Sequence, residues 1–408
     1  MTLHPMAADL MTTIEDATPH VAAMLSARGR AIYFPFGGIL GQAAEAKGKR
    51  INATIGIALE DDGRPLVLQA LQSMIELDGR DAFTYAPSFG KPKLREMWRQ
   101  MLREKNPSLH DTAMSLPVVT VALTHALSMA GYLFLDPGDD LLCADLFWGN
   151  YRLLFEHQHG ANIRTFPTFD GDGLDVAALK QAVTEGAPRK RVLLLNFPNN
   201  PTGYTPTVAE ADAIVETLTA AAEAGNDLVV LIDDAYFGLV YEDGVLGESI
   251  FARLADAHPR LLAVKIDGAT KEDYVWGFRV GFITYGVKGA TPKLFGALEA
   301  KTAGAIRGNV SNAPNLSQSL LAKAFQSADY PRQKKEKFAT LQARFQEVRR
   351  ILDDHPEYAE RFVRLPFNSG YFMCVRPLKA DADAVRKRLL EHYDTGVIAT
   401  SGLIRVAF

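Results

Sequence analysis

The sequence predicts an α/β fold, a mostly parallel sheet with helices on both faces, joined to a smaller α+β unit. Runs such as Val192 to Leu195 and Leu228 to Ile232 are apolar on consecutive residues, as expected of strands buried on both faces of a parallel sheet. Between them lies a helix with legible ends. Thr207 and Glu210 stand at capping-box spacing, Pro206 lies just outside, and Gly225 is placed to close the helix in a left-handed conformation. Strand, loop, helix, strand is the local order, for which a right-handed crossover is expected. No repeat period or low-complexity tract is visible, which sets aside solenoids and propellers.

Length divides the chain. At 408 residues it is too long for one compact core and suits two domains. Leu341, Phe345, Val348 and Leu352 recur at helical spacing in a charged background, predicting an amphipathic helix that opens the second domain. The expected division is a large domain over 66–325 and a smaller one built from both chain ends. An N-terminal arm and part of the small domain occupy 1–65, and the remainder of the small domain occupies 326–408.

Composition bounds the partners. Hydrophobic residues make up 48% and charged residues 23%, an ordinary globular mixture. A net charge of -4 leaves no basic surplus for a polyanion, so nucleic acid is not an expected partner and a small molecule is. No apolar run approaches the roughly 18 residues that a membrane span needs. Cys143 and Cys374 each lie in an apolar run and read as buried hydrophobes, which fits a reducing cytosol. Met1 to Ala27 contains neither lysine nor arginine, unlike a secretory or transit leader, so a cytoplasmic location is expected.

Four stretches can carry chemistry, and they fall where a doubly wound sheet binds ligands, after the carboxyl ends of strands. Asn196-Phe-Pro-Asn-Asn-Pro-Thr-Gly203 follows the strand at Val192 to Leu195; it forces a rigid loop that either presents amide side chains or is a structural turn. Asp233-Asp-Ala-Tyr236 ends the next strand, where a carboxylate needs a cationic partner or serves as a helix cap. Thr270-Lys271 with Arg279 and Gly281 adds two cations, which taken alone read as solvated surface. Arg405 comes late in Gly-Leu-Ile-Arg-Val.

In this order the four stretches resemble the fold-type-I pyridoxal 5'-phosphate (PLP) enzymes of aminotransferase class I/II, over most of the chain. Tyr85-Ala-Pro-Ser-Phe-Gly-Lys-Pro-Lys-Leu-Arg95, Thr120 to Leu127, Pro137-Gly-Asp139 and Trp148 strengthen the likeness. The resemblance implies PLP as cofactor and gives each residue a role. Lys271 matches the lysine joined covalently to PLP, and its amine must be neutral to react and to move a proton. Asp233 matches the partner of the pyridine nitrogen, which keeps the ring an electron sink. Asn200 and Tyr236 match the groups bonded to the ring's phenolic oxygen, and Trp148 the aromatic ring stacked on it. Arg279 matches the phosphate-binding arginine, and Ala122, Leu123 and Thr124 the helix start that cradles the same phosphate. At Ala122, Leu123 and Gly268 the sequence departs from the small or hydroxyl-bearing residues common in the family. Tyr85 resembles a tyrosine that reaches the phosphate from a second subunit, implying a homodimer with shared active sites.

For the substrates, an amino acid and a 2-oxo acid, Arg405 matches the arginine that grips the α-carboxylate. Ile55 and Gly56 match the segment that closes over the substrate. Ile306-Arg-Gly-Asn-Val-Ser-Asn312 resembles the segment in aspartate and aromatic aminotransferases whose arginine binds a distal carboxylate across the dimer; Arg307 takes that place, unless it is a plain surface residue. Aspartate, glutamate or aromatic amino acids are the implied donors. A PLP-dependent lyase or synthase on the same scaffold stays open, since fold and cofactor do not fix which bond breaks. A ligand-sensing regulator is also conceivable, although the acidic N-terminal segment lacks the basic module such proteins carry. Relatives usually continue past the arginine through a strand and a helix, whereas this sequence stops at Phe408, so either a truncated or an unusual end is expected.

Three signals are discounted. Phe36-Gly-Gly-Ile-Leu-Gly41 has the wrong spacing for a dinucleotide loop and reads as a tight turn. His157-Gln-His159 lacks acidic or cysteine partners at metal-ligand spacing and reads as solvated helix surface. His125 is read the same way.

Overall fold

The computed structural model of the chain describes residues 3–17, 19–33, 37–54, 56–72 and 75–408. A seven-stranded sheet runs in the order Val118–Val121, Val280–Gly286, Leu261–Asp267, Asp227–Asp233, Lys190–Asn196, Asp140–Ala144, Asn162–Phe166. Val280–Gly286 is antiparallel to both of its neighbours, and the other pairings are parallel. Every residue of Val280–Gly286 is buried, as is Arg191 to Asn196, so the continuous apolar runs reflect a sheet covered on both faces. The helix between the two predicted strands spans Val208–Glu223, its capping box closed reciprocally by Thr207 and Glu210. Gly225 follows with φ +101°.

A second sheet, antiparallel, runs Phe362–Arg364, Phe372–Pro377, Leu403–Ala407, Ile398–Thr400. Beside it early chain meets late chain in a separate two-stranded sheet: Ile51–Asn52 pairs in parallel with Thr395–Gly396, and the Ala407 amide donates to the Ala53 carbonyl. The amphipathic helix is Tyr330–Asp354. Leu341 and Phe345 are buried, and Val348 and Leu352 pack with Phe345, Phe367 and Met373 beside this sheet. Its first turn, by contrast, meets the large sheet's loops, because Tyr330 bonds the Asp273 carboxylate. The helix therefore spans from one sheet to the other.

Two discounted stretches are built differently from their expectation. Within Phe36 to Gly41, Phe36 lies outside the described residues, and Gly37 and Gly38 lead into a helix over Ile39–Glu45 rather than a simple turn. His157 to His159 is half-buried rather than solvated and belongs to the end of a π-helical segment, Arg152–Gln158. Gln158 donates to Ser128 there, and His157 meets Tyr33 edge-on. Half-burial also holds for His125, whose Nδ1 accepts from the Val121 amide at 3.0 Å.

Candidate active site

Three adjacent parallel strands deliver the site from their carboxyl ends. Asn196 ends one and donates to the carbonyl of Asp233, which ends the next, at 2.8 Å; the Asn200 amide then donates to Asn196 Oδ1 at 2.8 Å. The asparagine loop is thus folded by its own amides, as the sequence suggested. Gly203 closes it with φ +73°, and its carbonyl accepts from the Asn368 and Ser369 amides. The third strand, Leu261–Asp267, leads through Gly268 into the short helix Ala269–Glu272 that carries Lys271.

A cavity of about 440 Å³ opens above these ends, within the usual range for small-molecule sites. Gly56, Leu123, Thr124, Trp148, Asn200, Asp233, Tyr236, Lys271 and Arg405 all line it. Ala122, which precedes Leu123, is buried with φ +59° and is not among the lining residues. Ile55 lies outside the described residues. Three further expected residues are not brought to the cavity by this chain. Tyr85 is 91% exposed. Arg307 is exposed on the last turn of Pro292–Asn309 and bonds Ser311. Arg279 is exposed and its nearest bond is to the Trp276 carbonyl at 3.4 Å, yet its charge still acts on Lys271.

The electrostatics separate the functional groups. Burial lowers the basicity of Lys271; Arg279 adds to this and Asp233 opposes it. The amine lies 4.9 Å over the Tyr236 ring and has no ion pair among the described residues. Burial raises the Asp233 carboxyl, while the Tyr151 hydroxyl and the Lys271 charge hold the rise back. Among the described residues the expected cationic partner is not in direct contact with Asp233. Tyr151 donates to its Oδ2 at 2.5 Å and the Ala235 amide to its Oδ1 at 3.1 Å. The tight ion pair forms one residue on, between Asp234 and Lys265. Arg405, 2% exposed, donates to Asn200 Oδ1 at 3.2 Å and to the Thr54 carbonyl at 3.3 Å, over the Phe372 ring. Among the described residues its partners are all neutral and its Nε has none, leaving a buried cation for an arriving anion.

Tyr151 went unrecognised in the sequence, although an aromatic three residues beyond Trp148 was the available signal; its ring meets Trp148 edge-on at 5.7 Å. The wall formed by Ile39, Leu40 and Ala43 was missed too. Its helix is held by Gln42, which exchanges bonds with the Ala399 backbone. At Gly268 the departure from the family pattern has a steric cause. An added Cβ would lie 2.6 Å from the Val280 carbonyl and 2.8 Å from Gly281 Cα.

The sequence pattern described as aminotransferase class I and II matches residues 49–408. The chain belongs to that family. Aspartate/prephenate aminotransferase of Thermus thermophilus is 31% identical over 203 residues, 48% of this chain and 47% of that one. Cytoplasmic aspartate aminotransferase of Saccharomyces cerevisiae is 23% identical over 328 residues, 76% of this chain and 75% of that one. With several such relatives the chain spans about half of their length. An aminotransferase from Anaerococcus prevotii superposes with TM-score 0.82 at 24% identity, over 94% of both chains. Thermus thermophilus aspartate aminotransferase with maleate gives 0.73 at 20%, again over 94% of both. These likenesses show the fold-type-I architecture.

PLP is the cofactor of this aminotransferase family. The residues present fit it: an unpaired buried amine at Lys271, a buried carboxylate at Asp233 with no cation touching it, and a cavity of sufficient size between them. Gly281, where a Cβ would fall 2.6 Å from the Ala122 carbonyl carbon, lets the helix start at Ala122 come close to the sheet. Ala122 and Arg279 both hold left-handed backbone, with φ of +59° and +54°. Strain of this kind in residues with a Cβ concentrates at functional sites.

Proposed function

We propose that the protein catalyses PLP-dependent transamination between an amino acid and a 2-oxo acid, with aspartate, glutamate or aromatic amino acids as donors. One observation carries the reading: the Lys271 amine and the Asp233 carboxylate face one cavity from neighbouring strand ends, with the buried Arg405 guanidinium on the wall contributed by the second sheet.

In this reading Lys271 holds the cofactor and then moves the proton at the substrate α-carbon, for which its lowered basicity suits it. Asp233, fixed by Tyr151 and the Ala235 amide, would pair with the ring nitrogen. Bound PLP supplies the electron sink. Asn200 and Tyr236 would hold the ring's phenolic oxygen, Trp148 would stack on the ring, and Ala122, Leu123 and Thr124 would take the phosphate, with Arg279, exposed in this structure, turning in to join them. Arg405 orients the α-carboxylate, and Gly56, whose carbonyl accepts from Tyr371 at 2.8 Å, lines the cavity where the substrate would enter; by sequence Ile55 joins it in closing over the substrate. Tyr85 and Arg307 act from a second copy, making the working unit a homodimer. Support for this comes from their exposure together with that of Phe83, also 91% exposed.

The deciding experiment mixes PLP-loaded protein with single amino acids, without acceptor. Aspartate should convert the bound cofactor's absorption to that of its amine form, with the 2-oxo acid released. No conversion by any common amino acid refutes transamination, and release of ammonia and pyruvate selects a lyase.

A further inference from the structure

Directly behind Lys271 lies a buried group of charges that the proposed chemistry does not use. Glu272 and Asp273, the two residues after Lys271, are 5% and 0% exposed. Lys105, from the helix Pro92–Lys105, approaches Glu272 at 2.5 Å. Lys334, from the first turns of Tyr330–Asp354, reaches Glu272 at 2.7 Å and Asp273 at 3.0 Å, and Tyr330 bonds the same Asp273 oxygen. Burial would raise the Glu272 carboxyl, but the two lysines outweigh it and hold it well down. Burial would lower Lys334, but Asp273 and Glu272 outweigh it and hold it up. At Lys105 burial wins over Glu272. Lys334 is therefore the firmer cation of the two.

The placement is specific. Lys271 sits on a four-residue helix, Ala269–Glu272, too short to hold its own orientation. Tyr274, next after the two acids, has φ +56°, so the turn is strained and needs outside support. Its acids are held from one side by the large domain's helix and from the other by the helix whose far half packs against the sheet carrying Arg405.

We propose that Lys334, with Lys105 in support, is a positioning residue for Lys271. Through Glu272 and Asp273 it clamps the turn that aims the amine, and it fixes that turn relative to the helix Tyr330–Asp354. The proposal rests on the reading that Lys271 carries PLP. Removing Lys334 leaves two buried carboxylates without their firm cation, a loss that falls on the turn's geometry as well as on stability.

The test compares wild type, Lys334→Met and Lys334→Arg. The readouts are the rate at which added PLP becomes borohydride-fixed to Lys271 in the apoprotein, the thermal midpoint, and kcat and KM with the best donor. Expected for Lys334→Met is a loss of about tenfold or more in attachment rate and in kcat, with KM within about twofold, since a tenfold effect needs only about 1.4 kcal/mol. Lys334→Arg should recover most of both. Native attachment rate and kcat in the folded Met variant, or an equal loss in the Arg variant, overturns the clamp. Should the Met variant not fold, Lys105→Met, which of the two acids touches only Glu272, should show a smaller loss of the same kind, and native rates there overturn the proposal. If wild type itself traps no PLP at Lys271, it is the underlying reading that fails.

Discussion

At the scale of single residues, burial sets the chemistry of the site. Lys271 is kept less basic than a free lysine, so below the ordinary lysine range the unfolded chain binds the proton more readily than the folded one. Stability of the apoprotein therefore carries a cost at neutral pH that shrinks as pH climbs toward that range. Lys271→Met, free of that cost, should resist urea better than wild type at pH 7, with the gap narrowing at pH 9. A gap that stays constant or widens with pH would show the amine to be ordinary. Asp233, Asn200, Lys271 and Arg405 were legible as motif residues because each belongs to a short run with fixed spacing. Tyr151 was not, because its importance lies in a contact with Asp233 across 82 positions of sequence, which no local pattern encodes.

At the scale of elements, local rules predicted what local forces decide. The helix Val208–Glu223 begins at its capping box, and the strands on either side match their apolar runs to within two residues. What local rules could not give is the weld between the asparagine loop and the second sheet. A Cβ at Gly203 would lie 2.1 Å from the Phe372 carbonyl oxygen and 2.8 Å from that of Ser369, at φ +73°. Gly203→Ala should consequently cost more than about 3 kcal/mol by denaturant unfolding, the range reserved for backbone strain combined with overpacking. A cost below about 1 kcal/mol would mean that the two segments can separate freely. The short helix Ile39–Glu45 escaped sequence reading for a related reason. Seven residues are too few to stand alone, and this one exists through its Gln42 bonds to Ala399.

At the scale of the whole molecule, the α/β class follows from strand patterning and the family likeness, and early chain meets late chain where Ile51–Asn52 pairs with Thr395–Gly396, beside a second sheet built from late segments; the quaternary proposal rests on residues that one chain leaves outside its own cavity. If Tyr85 and Arg307 serve a neighbour's site, the protein sediments as two chains. Mixing Lys271→Ala with Arg307→Ala should then restore activity toward aspartate, because one site of each hybrid receives both intact residues. No recovery after subunit exchange would place Arg307 outside the substrate's reach.

The contact between Arg405 and Asn200 has a consequence for how the two ends of the cavity sense one another. Asn200 Oδ1 occupies one donor of the guanidinium at 3.2 Å, so a carboxylate arriving there competes with the amide for the same N–H. Whatever then binds Asn200 from the cofactor side finds the amide released. By reciprocity, ligands that each displace this bond would raise or lower one another's affinity by the same factor, which would make this asparagine an interlock between the two ends of the cavity.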